Sequence, residues 1–193
     1  VPVRLVRLSD NGTLAEGRTD ADGRYRLAGL RFDAGRFRVE ADLGDQPWRL
    51  GERSGRHPAD LRLTATLDLT RHGSAQVSVT GFTTLADGLA AALPSDQGDP
   101  LGRARAGIEA HLGLDPVRTD LAEPLADLTP DGTRHRLLVD ALARLGAQLA
   151  QQAGRPDTLS PGATLLALLE DARGLEPPGL FDGVGRTGPV FVD

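Results

Sequence analysis

The clearest pattern in the chain is Leu61-Arg62-Leu63-Thr64-Ala65-Thr66-Leu67-Asp68-Leu69, with apolar side chains at odd positions and polar ones at even positions. Successive side chains of a strand point to opposite faces, so this alternation predicts a strand with one face on a core. Strands are read over 2–8, 13–18, 24–28, 36–42, 47–51, 60–70 and 75–80. Turn formers separate these runs at Asp10-Asn11-Gly12, Asp20 to Gly23, Asp33-Ala34-Gly35 and His72-Gly73. Residues 1–80 therefore predict a seven-stranded antiparallel β-sandwich module.

From about residue 81 the period becomes helical. Asp99-Pro100, Thr129-Pro130 and Ser160-Pro161 each put a capping side chain before a proline at the first helical position, where its missing N–H costs nothing. Gly113, Gly154 and Gly174 suit the left-handed position that ends a helix. The predicted helices are 83–93, 100–112, 130–153 and 161–173. Their apolar stripes run through Leu85, Leu89 and Leu93; Leu101, Ala104, Ile108 and Leu112; Leu138, Ala141, Leu142, Leu145 and Leu149; and Leu165, Leu168, Leu169 and Ala172. Each helix thus has a face to bury, and residues 81–193 predict a four-helix cluster with a short terminal strand. The fold class expected is α+β.

A β-module of about 80 residues without disulfides supplies little net stability on its own, on the order of 3–5 kcal/mol. The helices are expected to pack against it, through Trp48, Leu50 and Phe82, across a tight junction at Thr83-Thr84. Residues 185–193 either complete the β-module or open a following one.

The run Thr19-Asp20-Ala21-Asp22-Gly23-Arg24-Tyr25-Arg26-Leu27, continued by Leu30, Gly35, Phe37 and Val39, resembles the signature of carboxypeptidase-regulatory-like and Cna-B-type modules. In those modules a Thr-Asp-x-x-Gly-x-Tyr turn follows a first strand like Pro2-Val3-Arg4-Leu5-Val6. The resemblance implies a sandwich of transthyretin-like or Ig-like kind. Val79-Thr80-Gly81-Phe82-Thr83-Thr84-Leu85-Ala86 resembles the Val-Thr-Pro-Leu-Thr-Thr-Leu-Ala stretch that links such a module to a helical region in bacterial envelope proteins, with Gly81 in place of proline. Together these imply an extracellular or cell-envelope setting and a structural or adhesive role, with neighbouring domains of the same chain and a protein or cell-surface partner. They bring no catalytic residue with them.

Composition narrows this further. The chain of 193 residues has ordinary apolar and charged fractions, and its longest apolar runs fall far short of a membrane span. It opens on strand-like residues without a methionine, as a piece of a longer protein would. A net charge of −5 argues against nucleic acid, and the arginines between residues 4 and 38 alternate with apolar residues as on a solvated sheet face. Cysteine and lysine are both absent, which excludes disulfides, thiolate chemistry and a catalytic lysine. The same absence excludes the Lys-to-Asn isopeptide cross-link that many Cna-B-type domains carry.

Candidate chemistry is sparse. No Gly-x-Ser-x-Gly elbow and no His-x-x-x-His or His-Glu-x-x-His pair occurs, and His57, His72, His111 and His135 are scattered. Gly183-Val184-Gly185-Arg186-Thr187-Gly188 matches a dinucleotide fingerprint as a string, but it follows a proline-rich loop and precedes Pro189. Asp20 and Asp22 are candidate calcium ligands, although an EF-hand register would place Arg18 and Gly29 where carboxylates belong. Trp48 is the candidate platform for a glycan. The expected function is a non-catalytic structural or adhesive module with no resident cofactor; the alternative is a glycan- or calcium-binding accessory domain of a secreted hydrolase.

Overall fold

The computed structural model describes residues 1–28, 30–50, 53–71, 75–117, 129–152, 161–172, 184–185 and 188–189. Its strands are β1 (Pro2–Arg7), β2 (Thr13–Arg18), β3 (Gly35–Asp42), β4 (Pro47–Leu50), β5 (Arg53–Arg56) and β6 (Arg62–Leu69). Helices α1 (Gly81–Ala92), α2 (Pro100–Leu112), α3 (Pro130–Gln152) and α4 (Pro161–Ala172) follow, then the short β7 (Val184–Gly185) and β8 (Gly188–Pro189).

The central sheet is antiparallel, with strand order β2-β1-β3-β6. Register places Val3 opposite Ala41, Leu5 opposite Val39, and Val39 opposite Ala65, so the apolar alternation of three strands falls on one face. Val3, Leu5, Phe37, Val39 and Ala41 are buried there. The opposite face carries Arg4, Arg38 and Glu40. Asn11 and Asp45 take positive φ of 55° and 58° in the turns after β1 and β3, a conformation that asparagine and aspartate tolerate better than most residues.

The α+β class holds, but the seven-stranded sandwich is corrected. The sheet has four strands, and β4 with β5 and β7 with β8 form separate two-stranded hairpins. Residues 24–28 and 75–80, expected as strands, lie outside every ladder. Their apolar residues nevertheless face the sheet: Tyr25, Leu27, Leu30, Phe32, Val77 and Val79 pack on the cluster formed by Val3, Leu5, Phe37 and Val39. Alternation reports which side of an extended chain is buried, not whether its backbone is paired. The segments satisfy the first requirement without the second. Val184 and Gly185 pair with Pro189 and Gly188, and these described terminal residues lie outside the central sheet.

The helices form close to where the caps place them. Thr80 closes a capping box: its hydroxyl accepts from the amides of Phe82 and Thr83, while the Thr83 hydroxyl accepts from the Thr80 amide. Asp99 accepts from Leu101 and Gly102 ahead of Pro100, and Gly113 ends α2 with φ 66°. A second core joins the two halves, with Leu61 beside Phe82, Leu85, Ala86, Ile108, Leu114, Leu165 and Leu169. Phe82 thus makes the expected contact, whereas the side chains of Trp48 and Leu50 lie outside the described residues. On α3 the buried positions are Gly132, His135, Ala143 and Gly146, and Leu145 from the expected stripe is 42% exposed. No described helix is long and apolar enough to cross a membrane.

Candidate functional site

Among the described residues a cleft of about 1910 Å³ lies between the apolar sheet face and residues 22–28, 30–33, 71 and 75–79. Its floor comes from β1, β3 and β6 through Val3, Leu5, Val39, Ala41, Leu63 and Leu67. The two walls are tied at two points. The Tyr25 hydroxyl donates to the Val77 carbonyl at 3.0 Å, and Arg71 stands 4.0 Å from Asp33. Burial pushes the Tyr25 phenol up to about 12, so it stays a donor at neutral pH. Around the cleft stand Arg7, Arg24, Arg26, Arg31 and Arg71 against Asp22 and Asp33, an excess of positive charge on a protein that is acidic overall.

Asp20 and Asp22 lie in the turn that leads into the first wall. The Asp20 carboxylate is engaged by the chain itself: Oδ1 accepts from the amides of Asp22 and Arg24, each at 2.9 Å. Gly23, with φ 79°, supplies the left-handed residue and donates to the Asp20 carbonyl. This is an Asx turn built from local bonds. Among the described residues, no group of three or more His, Asp or Glu side chains lies close enough to share a metal ion.

The described histidines, His57, His111 and His135, do not line the cleft. His111 is exposed near the end of α2, its Nδ1 2.8 Å from the Gly107 carbonyl oxygen. His135 is 5% exposed and stacks edge-on against Phe82 at 4.8 Å, with Nε2 lacking a hydrogen-bond partner; burial lowers its pKa to about 4. His57 meets the first turn of α4 at Gly162, and burial lowers its pKa too. His72, the Gly183 end of the glycine-rich string and the Trp48 side chain lie outside the described residues. The backbone of Trp48 pairs with Gly55 in the β4–β5 hairpin.

Two polar clusters were not legible as such in the sequence. One seals the outer edge of β6. Thr84 of α1 accepts from the Thr64 amide at 2.8 Å, Asp87 accepts from the Thr66 amide at 3.2 Å, and Arg105 of α2 donates to the Thr66 carbonyl. Burial raises the Asp87 carboxyl, with the Thr64 and Thr66 hydrogen bonds and the nearby Arg105 charge acting against it. The available signal was the crowd of short polar residues on α1, at Thr80, Thr83, Thr84 and Asp87, beside its leucine stripe.

The other cluster lies on the arginine-bearing sheet face. Glu40, 5% exposed, takes Arg4 on Oε2 at 2.6 Å and Arg38 on Oε1 at 2.7 Å. Its burial acts to raise the pKa, and the two guanidinium groups outweigh that and hold it low. Alternation had identified these arginines as a sheet face, but not the buried acid between them.

Compared with protein-family models, with curated proteins and with solved structures, the chain matches none. Site residues therefore come from its own geometry.

Proposed function

We propose that this chain is a non-catalytic structural or adhesive module of a larger bacterial cell-surface or secreted protein, in which sheet and helices act as one unit. The observation that carries the reading is the sealed β6 edge. Thr84, Asp87 and Arg105 bind the sheet backbone directly, so the helices are fastened to the β-module and not hung from a linker. Four of the described titratable groups fit the same reading: Glu40 is held by two arginines, Asp20 and Asp99 by backbone amides, and His135 lies against Phe82. The bacterial envelope setting rests on the sequence resemblance alone.

The test is denaturant unfolding followed at once by far-ultraviolet circular dichroism, for the helices, and by Tyr25 fluorescence, for the wall over the sheet. Coincident transitions are expected, with no shift on adding calcium or glycans. Separate transitions would defeat the single-unit reading. A ligand at about 100 times its Kd stabilises a fold by about 2.7 kcal/mol. An upward shift with calcium or a glycan would replace this reading with the accessory-domain one.

A further inference from the structure

We propose that the outer edge of β2 pairs with β2 of a second copy of this chain, antiparallel about a two-fold axis at Gly17, so that the two central sheets become one; this is independent of the module's role. The central sheet has an outer edge on each side. That of β6 is bonded to the helices at Thr64 and Thr66. That of β2 has no neighbouring strand among the described residues.

The alternation of an antiparallel ladder settles which backbone groups are open. Thr19 donates to the Val1 carbonyl at 2.9 Å, Gly17 stands opposite Val3 and Ala15 opposite Leu5, so these residues of β2 and its end turn their backbone groups toward β1. The amides and carbonyls of Glu16 and Arg18 therefore point away from β1, and they have no partner among the described residues. Both side chains are exposed. An edge of this kind is a template for another strand.

Charge selects a second copy and fixes its register. Glu16 and Arg18 carry opposite charges on one face of β2, and neither enters an ion pair among the described residues. Arg4, opposite Glu16 on β1, is already engaged by Glu40 at 2.6 Å. Centring the axis on Gly17 sets Glu16 opposite Arg18 of the copy and Arg18 opposite its Glu16. Every outward amide and carbonyl of these residues then finds a partner, and both charges are matched. Centring the axis on Glu16 or on Arg18 sets like charges directly opposite, which is unfavourable. The contact is thus self-complementary, as a two-fold dimer requires.

The pairing is also bounded. At one end the Asp20 amide is taken by the Arg24 carbonyl, and at the other Leu14 lies where the register with Leu5 and Val6 shifts. Both β2 edges are consumed in the pair while both β6 edges stay covered, so assembly closes as a dimer.

Sedimentation of the whole chain between about 10 μM and about 1 mM should show a reversible monomer–dimer equilibrium, as a short contact gives. Glu16→Arg and Arg18→Glu each set like charges across the axis, and each alone should weaken the dimer by about tenfold or more. Their equimolar mixture restores glutamate–arginine pairs and should regain the dimer, which variants that fail to fold could not do. Amide exchange followed by NMR reads the backbone: Glu16 and Arg18 should become protected as concentration rises, while Gly17, turned toward β1, stays protected throughout. A monomer at every concentration overturns the proposal. So does a dimer indifferent to both substitutions, which would move the contact elsewhere, such as to the exposed Leu137, Val139 and Leu145 of α3. A mixture that stays monomeric, or a dimer that leaves the Glu16 and Arg18 amides unprotected, overturns it equally. Coincident unfolding of sheet and helices does not depend on the β2 edge, so loss of this proposal leaves the module reading standing.

Discussion

The Thr84 hydroxyl accepts the Thr64 amide proton at 2.8 Å and donates its own proton to the Thr80 carbonyl at 2.7 Å. One side chain thereby ties the edge strand of the sheet to the first turn of α1. Its single proton is committed at Thr80, so the 3.4 Å approach to the Thr64 carbonyl is a weaker second contact.

Replacing this hydroxyl with a methyl group of similar shape tests the tie. Thr84→Val leaves the Thr64 amide without its acceptor in a part-buried site, which should cost about 1–3 kcal/mol. Thr84→Ser should recover most of the loss. Urea unfolding of the three proteins is the measurement, and equal stability of the valine variant would show that water serves the strand edge equally well.

Acid should weaken the fold through His135 and His57. A histidine in the unfolded chain takes its proton near pH 6.5, whereas His135 in the fold resists until about pH 4. Between those values the unfolded chain binds more protons, so stability is full above the window and falls as pH drops through it. His57 shifts in the same direction and adds to the slope. Urea midpoints compared at pH about 7.5 and about 5 should show the decline, and His135→Leu should flatten it. An unchanged slope in the leucine variant would mean that other groups carry the dependence.

Glu40 is expected to matter more than an exposed ion pair. Glu40→Gln keeps the side-chain shape but leaves Arg4 and Arg38 facing each other without a counter-charge. The two arginines are 40% and 35% exposed, which moderates the loss to about 1–3 kcal/mol, below that of a fully buried pair. Thermal unfolding at neutral pH measures it, and Arg4→Gln in the same background should cost little more.

Two glycines should respond differently to alanine. A Cβ at Gly44 would stand 2.0 Å from the Ala59 carbonyl oxygen, a backbone atom, so Gly44→Ala forces the turn apart and should cost about 1–3 kcal/mol or more. At Gly23 nothing lies within 4 Å and only the φ of 79° resists. Gly23→Ala should therefore cost about 1–2 kcal/mol, and Gly23→Asn less. Parallel melts decide, and a neutral Gly44→Ala would mean that the turn relaxes freely.

The helices were legible because their ends carry chemistry. Asp99 before Pro100 and Gly113 after Leu112 marked α2 to the residue, since a cap is a local device and local sequence encodes it. The β-region was legible only in part. Alternation located the buried sides of Tyr25, Leu27, Val77 and Val79 but not the missing ladder, because pairing depends on where a second segment lies. Strand β5, Arg-Ser-Gly-Arg, shows no apolar alternation and gave no signal. The Asp20 turn was readable from its residues. The cleft was not, because its floor and walls come from strands and segments that only the tertiary fold brings together.

A protein packed densely beside copies of itself risks fibril growth, which begins when a strand edge offers unclaimed amides and carbonyls to an incoming chain. The Thr64 and Thr66 amides and the Thr66 carbonyl already have side-chain partners from α1 and α2. Templated stacking cannot start at β6 unless the helices first detach. Anything that loosens α1 from the sheet would thus open a seeding edge at β6, and the aggregation lag time would report the integrity of that junction.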